Sequence, residues 1–186
     1  MRPLVKSVWY FAYGSNMQTA TFCGRRGITF TRAAAARLCG WRLVLDKPPL
    51  LPIGESYANI VPDAHSDVLG VAYEVESDAL DSIDLSEGVL IGNYERRTVP
   101  VLPLVGEGAP FNAFTLVSDR GDASLRPSLR YMALLIEGAL EHGLPTEYVD
   151  FLRGISACEE SRVATAMRPL FDGALALMKP RRSRRA

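Results

Sequence analysis

Two short stretches gather residue types that can do chemistry. The first is YFAYGSN, residues 10–16, an uncharged run of aromatic and apolar side chains that stops on glycine, serine and asparagine. Gly14 opens dihedral space that other residues avoid, so successive backbone N–H groups can converge on an anion or a carbonyl oxygen, with the Ser15 and Asn16 side chains adding polar contacts. The same residues serve equally as a plain strand end followed by a helix cap at Asn16. The second stretch is SEGVLIGNY, residues 86–94, in which Glu87 stands between Ser86 and Gly88 and ahead of an apolar Val-Leu-Ile. A carboxylate in such a helix-to-strand connection is placed for partial desolvation and close backbone approach, the setting of a general acid–base group. Most other acidic residues lie among polar neighbours, as solvated charges do. Cys23, Cys39 and Cys158 are odd in number and form no C-x-x-C pair, and His65 and His142 sit in no metal-ligand spacing. Neither a disulfide framework nor a structural zinc is expected.

The elements that must position these groups follow from composition and period. The chain has 186 residues, 48% apolar and 23% charged, which suffices for a self-sufficient core, and one domain over residues 1–178 is expected. No apolar run approaches the roughly 18 residues of a membrane span, and the N-terminus lacks the pattern of a secretory signal, so a cytoplasmic protein is expected. The formal net charge of zero conceals an asymmetry, because Lys179, Arg181, Arg182, Arg184 and Arg185 crowd the C-terminus. Residues 179–186 read as a disordered, solvated basic tail rather than a nucleic-acid arm, since no aromatic residue is interleaved.

Residues 8–13, 41–46, 57–62 and 68–75 read as strands, as do the alternating run after Gly92 and residues 111–117. Residues 47–55, with three prolines and a glycine, read as an ordered loop able to rim a pocket. Ser77 reads as the cap of a helix that ends near Ser86. Residues 127–143 and 145–155 read as two further helices, each opened by proline, and a third follows with an interruption at Pro169. The order predicts an α+β fold, a mainly β body closed by helices.

Taken together, YFAYGSNM, EGVLIGNY, PSLRY (127–131) and HGLPTEY (142–148) resemble the gamma-glutamylcyclotransferase family, the group that includes the AIG2-like proteins. The resemblance runs from Tyr10 to Ile155. It implies a mixed, β-barrel-like core with surrounding helices and a pocket beside the first strand. Carried over by position, it implies that Tyr13, Gly14, Ser15 and Asn16 form a substrate-binding loop, that Glu87 is the acid–base residue, and that Tyr131 lines the pocket. Glutathione-specific relatives usually carry leucine where this chain has Asn16, which points away from that branch. The implied reaction is cofactor-independent cyclisation of the γ-glutamyl group of a γ-glutamyl amino acid or amine to 5-oxoproline. A pocket that binds such ligands without turnover is the alternative. A small-molecule substrate is the expected partner, with neither nucleic acid nor membrane, and a homodimer stays open.

Overall fold

An aromatic run starts the sheet, and small residues let the sheet close. The computed structural model describes residues 6–51, 54–106 and 108–178; the basic tail lies outside the described residues. Strands β1 (Ser7–Ala12), β2 (Arg32–Lys47), β3 (Tyr57–Glu76), β4 (Glu95–Pro103) and β5 (Phe111–Val117) form a closed barrel in the order β1-β3-β2-β4-β5. All ladders are antiparallel except the closing one, where β5 meets β1 in parallel at Tyr10 and Phe114. The barrel with helices around it is the architecture expected from the resemblance.

β2 begins well before the expected 41–46 strand. Its first half, RAAAA, has little β propensity of its own and is held extended by pairing residue for residue with β3, Ala36 opposite Gly70. A side chain at Gly70 would lie 2.3 Å from the Ala12 carbonyl oxygen and 2.9 Å from the Phe11 ring, so the wall closes only because these residues are small. The two expected strands at 57–62 and 68–75 are one, β3. Pairing jumps from Cys39–Asp67 to Trp41–Pro62, so residues 63–66 swell out of the ladder opposite Gly40, whose φ is 77°.

Four α-helices follow: α1 (Ala79–Glu87), α2 (Leu129–Glu141), α3 (Thr146–Arg153) and α4 (Arg162–Met178). Ser77 does not cap α1; Asp78 holds the cap position without a side-chain bond, and Ser77 gives only its carbonyl to the Leu80 amide. Ser128 does cap α2, accepting from the Tyr131 amide at 3.2 Å. α4 is not interrupted at Pro169. Proline removes one N–H, but Thr165, four residues before, is exposed, so water can satisfy the freed carbonyl. No helix starts at Asn16 either. Ser15–Met17 form a 3-10 turn and Ala20–Arg25 a π-helical turn.

The core runs from the barrel to α2. Phe22 stacks on Tyr73 with ring centres 4.4 Å apart, and Phe11, Leu38, Ile60 and Leu135 are fully buried. On α2, Tyr131, Met132, Leu135, Gly138 and Ala139 form the buried stripe. A Cβ at Gly138 would fall 2.6 Å from the Gln18 nitrogen and 2.7 Å from the Met17 carbonyl carbon, so α2 presses directly on the turn that carries Asn16.

Candidate active site

The turn after β1 ends the aromatic strand and points a buried amide inward. Asn16 is 5% exposed, and its Nδ2 donates to Glu87 Oε1 at 2.8 Å and to Tyr10 Oη at 3.1 Å. Arg26, delivered by the end of the π-helical turn, completes a ring: Nε donates to Asn16 Oδ1 at 2.6 Å, and a terminal nitrogen lies 2.9 Å from Glu87 Oε1. Its other terminal nitrogen reaches the Ser86 carbonyl at 3.4 Å. Both side-chain contacts to Glu87 fall on Oε1. Among the described residues no hydrogen bond engages Oε2.

The backbone under Glu87 is fixed as firmly as its side chain. α1 stops at Gly88 with φ 71°, and Gly92 has φ 70°, conformations that favour glycine. The Asn93 amide donates to the Gly88 carbonyl at 3.0 Å and its side-chain Nδ2 to the Glu87 carbonyl at 2.8 Å. Asn93 Oδ1 in turn accepts from Lys47 Nζ and from Arg120 at 3.3 Å. Lys47 is buried, donates also to the Pro48 carbonyl, and stands 4.5 Å above the Tyr94 ring. Burial pushes the Lys47 ammonium down to about 8, the Arg120 charge adds to that effect, and Glu87 opposes it.

Four phenols surround the carboxylate. Burial raises the pKa of Tyr10, Tyr13, Tyr94 and Tyr131, and the negative charge of Glu87 adds to each, so all remain protonated at neutral pH. Three are committed to backbone: Tyr13 Oη donates to the Leu116 carbonyl, Tyr94 Oη to the Ala58 carbonyl at 2.9 Å, and Tyr131 Oη accepts from the Ala58 amide at 3.1 Å.

These groups line one cavity of about 410 Å³. All six positions singled out in the sequence, Tyr13, Gly14, Ser15, Asn16, Glu87 and Tyr131, contribute to its wall. Gly14 and Ser15 are half-buried between buried Tyr13 and Asn16, and a Cβ at Gly14 would sit 3.1 Å from Tyr131 Oη. The proline-rich loop rims the cavity through Leu50, Leu51 and Glu55, and α4 adds Phe171. Glu74 and Glu95 are elsewhere, paired with Arg32 and Arg97.

The sequence reading gives no role to Arg26, Lys47, Asn93 or Tyr94, although Asn93 and Tyr94 close the SEGVLIGNY stretch. Arg26 carries no local signal, because an irregular turn brings it back to Asn16. Asn93 and Tyr94 were within reach, since the two glycines at 88 and 92 already require something to close the loop between them.

Comparison with known proteins gives the fold and the sequence their relatives. The AIG2-like family pattern matches residues 67–152, a span that includes Glu87, Tyr94 and Tyr131. The gamma-glutamyl cyclotransferase aclK of Aspergillus oryzae is 33% identical over 169 residues, covering 81% of this chain and 62% of the fungal protein. The human gamma-glutamylcyclotransferase is 30% identical over 164 residues, covering 82% of this chain and 81% of that protein. A solved structure of a gamma-glutamyl cyclotransferase superposes with a TM-score of 0.75 at 26% identity, covering 90% of this chain and 99% of the other.

Proposed function

The chain belongs to the gamma-glutamylcyclotransferase family, and from that membership together with the setting of Glu87 we propose that it cyclises γ-glutamyl amides to 5-oxoproline, releasing an amino acid or amine. The observation that carries this reading is the asymmetry of the carboxylate: Oε1 is tied by Asn16 and Arg26, and Oε2 is left for a proton. A carboxylate held this way keeps its orientation while it exchanges a proton with substrate.

The substrate supplies its own nucleophile. Glu87 takes a proton from the α-ammonium, and the freed amine attacks the γ-carbonyl carbon to form the new C–N bond. The old amide C–N bond breaks as Glu87 returns that proton to the departing nitrogen, and the second amine proton passes to solvent or to the released amine. Tyr13, Gly14, Ser15 and Asn16 line the site where the substrate's α-carboxylate or the developing oxyanion is held, with Gly14 permitting close approach to backbone. Tyr131 braces that wall from α2. Holding amine and carbonyl in reacting geometry supplies several kcal/mol, and one aimed donor about 3 kcal/mol more, so this small set of groups is sufficient. No described helix is long and apolar enough to cross a membrane, and a cytoplasmic site of action fits this reading.

The test is release of 5-oxoproline from a panel of γ-glutamyl amino acids, γ-glutamyl amines and glutathione, with the unaltered protein and Glu87→Gln. Glutamine keeps the shape and the Arg26 and Asn16 neighbours but cannot exchange the proton, so turnover should fall about 100-fold or more while ligand still binds. Equal turnover by the two proteins sinks the assignment of Glu87. Binding across the panel with no release from any member makes the protein a binder instead.

A further inference from the structure

The cavity grades from polar depth to apolar mouth. Its deep wall is made by buried groups: Tyr10, Asn16, Lys47 and Tyr131 are all less than a tenth exposed. Its outer wall is different. Leu50 is 49% exposed, Leu51 45%, Leu85 41% and Ile91 69%, and all four line this same cavity. They come from three places: the loop after β2, the last turn of α1, and the 3-10 turn of Val89–Ile91. Leu85 and Ile91 flank Glu87 in the chain, so the apolar collar is built onto the element that carries the carboxylate.

Aliphatic side chains left half in water around one opening mark a surface that is covered during function. The γ-glutamyl group is a poor match for them, because it carries an ammonium and a carboxylate on its α-carbon. Those charges belong with Glu87, Asn16 and the half-buried backbone of Gly14 and Ser15. Of the charged side chains that also line the cavity, Arg25 and Arg168 are taken up by Asp172 and Glu160, Glu55 accepts from the Ser161 amide, and Arg130 is turned to solvent. What remains to meet the collar is the other half of the substrate, beyond the scissile amide.

Resting on the cyclotransferase reading above, we infer that the leaving half of the substrate is a bulky apolar amine or apolar amino acid, received by a collar of Leu50, Leu51, Leu85 and Ile91. The cavity volume suits such a conjugate. About 410 Å³ lies in the range of sites that enclose drug-sized molecules, and a glutamyl group with its small number of non-hydrogen atoms leaves much of it for the leaving half. Discrimination by the collar is set by the apolar area it covers, so it acts on chain length and shape rather than on a particular functional group.

The experiment compares kcat/KM for 5-oxoproline release from γ-glutamyl-glycine, -alanine, -leucine, -phenylalanine and -glutamate, and from γ-glutamyl-alkylamines of increasing length. The unaltered protein should favour leucine and phenylalanine over glycine by about tenfold or more, favour longer alkyl chains, and discriminate against glutamate. Ile91→Ser and Leu51→Ser alter exposed positions on two elements, so each gives a folded protein and an independent reading. In both, the leucine-to-glycine ratio should move toward one. A flat profile in the unaltered protein, or a ratio that both variants preserve, overturns the collar while Glu87-dependent release continues. Absence of release from every conjugate overturns the cyclotransferase reading itself, and this inference with it.

Discussion

Arg26 is the residue on which the fixed orientation of Glu87 depends. Its guanidinium serves Asn16, Ser86 and Glu87 at once, and the two charged side chains are only 9% and 15% exposed. Arg26→Met keeps an unbranched chain but strands a nearly buried carboxylate, a change that costs about 3 to 5 kcal/mol when one partner of a buried pair is removed. Turnover should fall at least tenfold and the melting temperature should drop. Arg26→Lys restores the charge without the fork and should recover only part of the rate. A kcat equal to the parent's in Arg26→Met would detach this residue from the chemistry. Tyr131→Phe makes a separate point, because the hydroxyl it removes is the acceptor for the Ala58 amide. Leaving that buried N–H unpaired should cost about 1 to 3 kcal/mol, read as a lower denaturation midpoint, so kinetics must be taken on protein shown to be folded. Residue types alone left the Tyr-Gly-Ser-Asn turn open between a binding loop and a plain strand end; the family resemblance singled out the turn and Glu87, and the fold brings both to one cavity wall. Arg26 and Lys47 were not, since a cation becomes a site residue only through a partner brought close by the fold.

At the scale of elements, the contact between α2 and the turn below β1 is the joint that positions Asn16. Gly138→Ala puts a methyl group where the Gln18 nitrogen and Met17 backbone already lie, at 2.6 and 2.7 Å. Overpacking of this kind costs about 1 to 3 kcal/mol, and here the displaced backbone carries a ligand of Glu87. Activity should fall more than stability alone explains, measured as kcat at a temperature well below the melt. Gly173→Ala in α4 is the matched control, since its added methyl meets nothing within 4 Å and alanine favours a helix; it should melt at the same temperature or slightly higher. The elements read well in advance were those with a clear local signal: β1 as an unbroken aromatic run stopped by a turn, and α2 through apolar residues at three- and four-residue spacing. The alanine half of β2 was missed because it is a strand only through its partner β3, and the cap expected at Asn16 failed because that side chain is used inside the site instead. Irregular turns such as Ala20–Arg25 leave no periodic trace at all.

For the molecule as a whole, Lys47 ties stability to pH. Its ammonium is pushed down to about 8 in the folded protein from an ordinary value near 10.5. Between those two values the unfolded chain binds the proton and the folded one does not, so stability rises with pH across that window and is lost again as pH falls through about 8. Thermal melts at pH 7 and pH 10 should therefore show the parent gaining relative to Lys47→Met at the higher pH. A difference between the two proteins that stays constant with pH would mean that burial of Lys47 carries no such penalty.

Closure of the barrel has a further consequence for how the protein comes into being. The strand that carries the Tyr-Gly-Ser-Asn turn leaves a ribosome well before its parallel neighbour β5, which begins only at Phe111, and before Tyr131, which comes later still. Pairings so distant along the chain form late, after the entropy of closing long loops has been met. A nascent chain therefore carries the turn without its pocket until β5 and α2 arrive. Ribosome-bound chains stalled before residue 117 and released chains of full length should differ in activity as none against all, with no graded series between them.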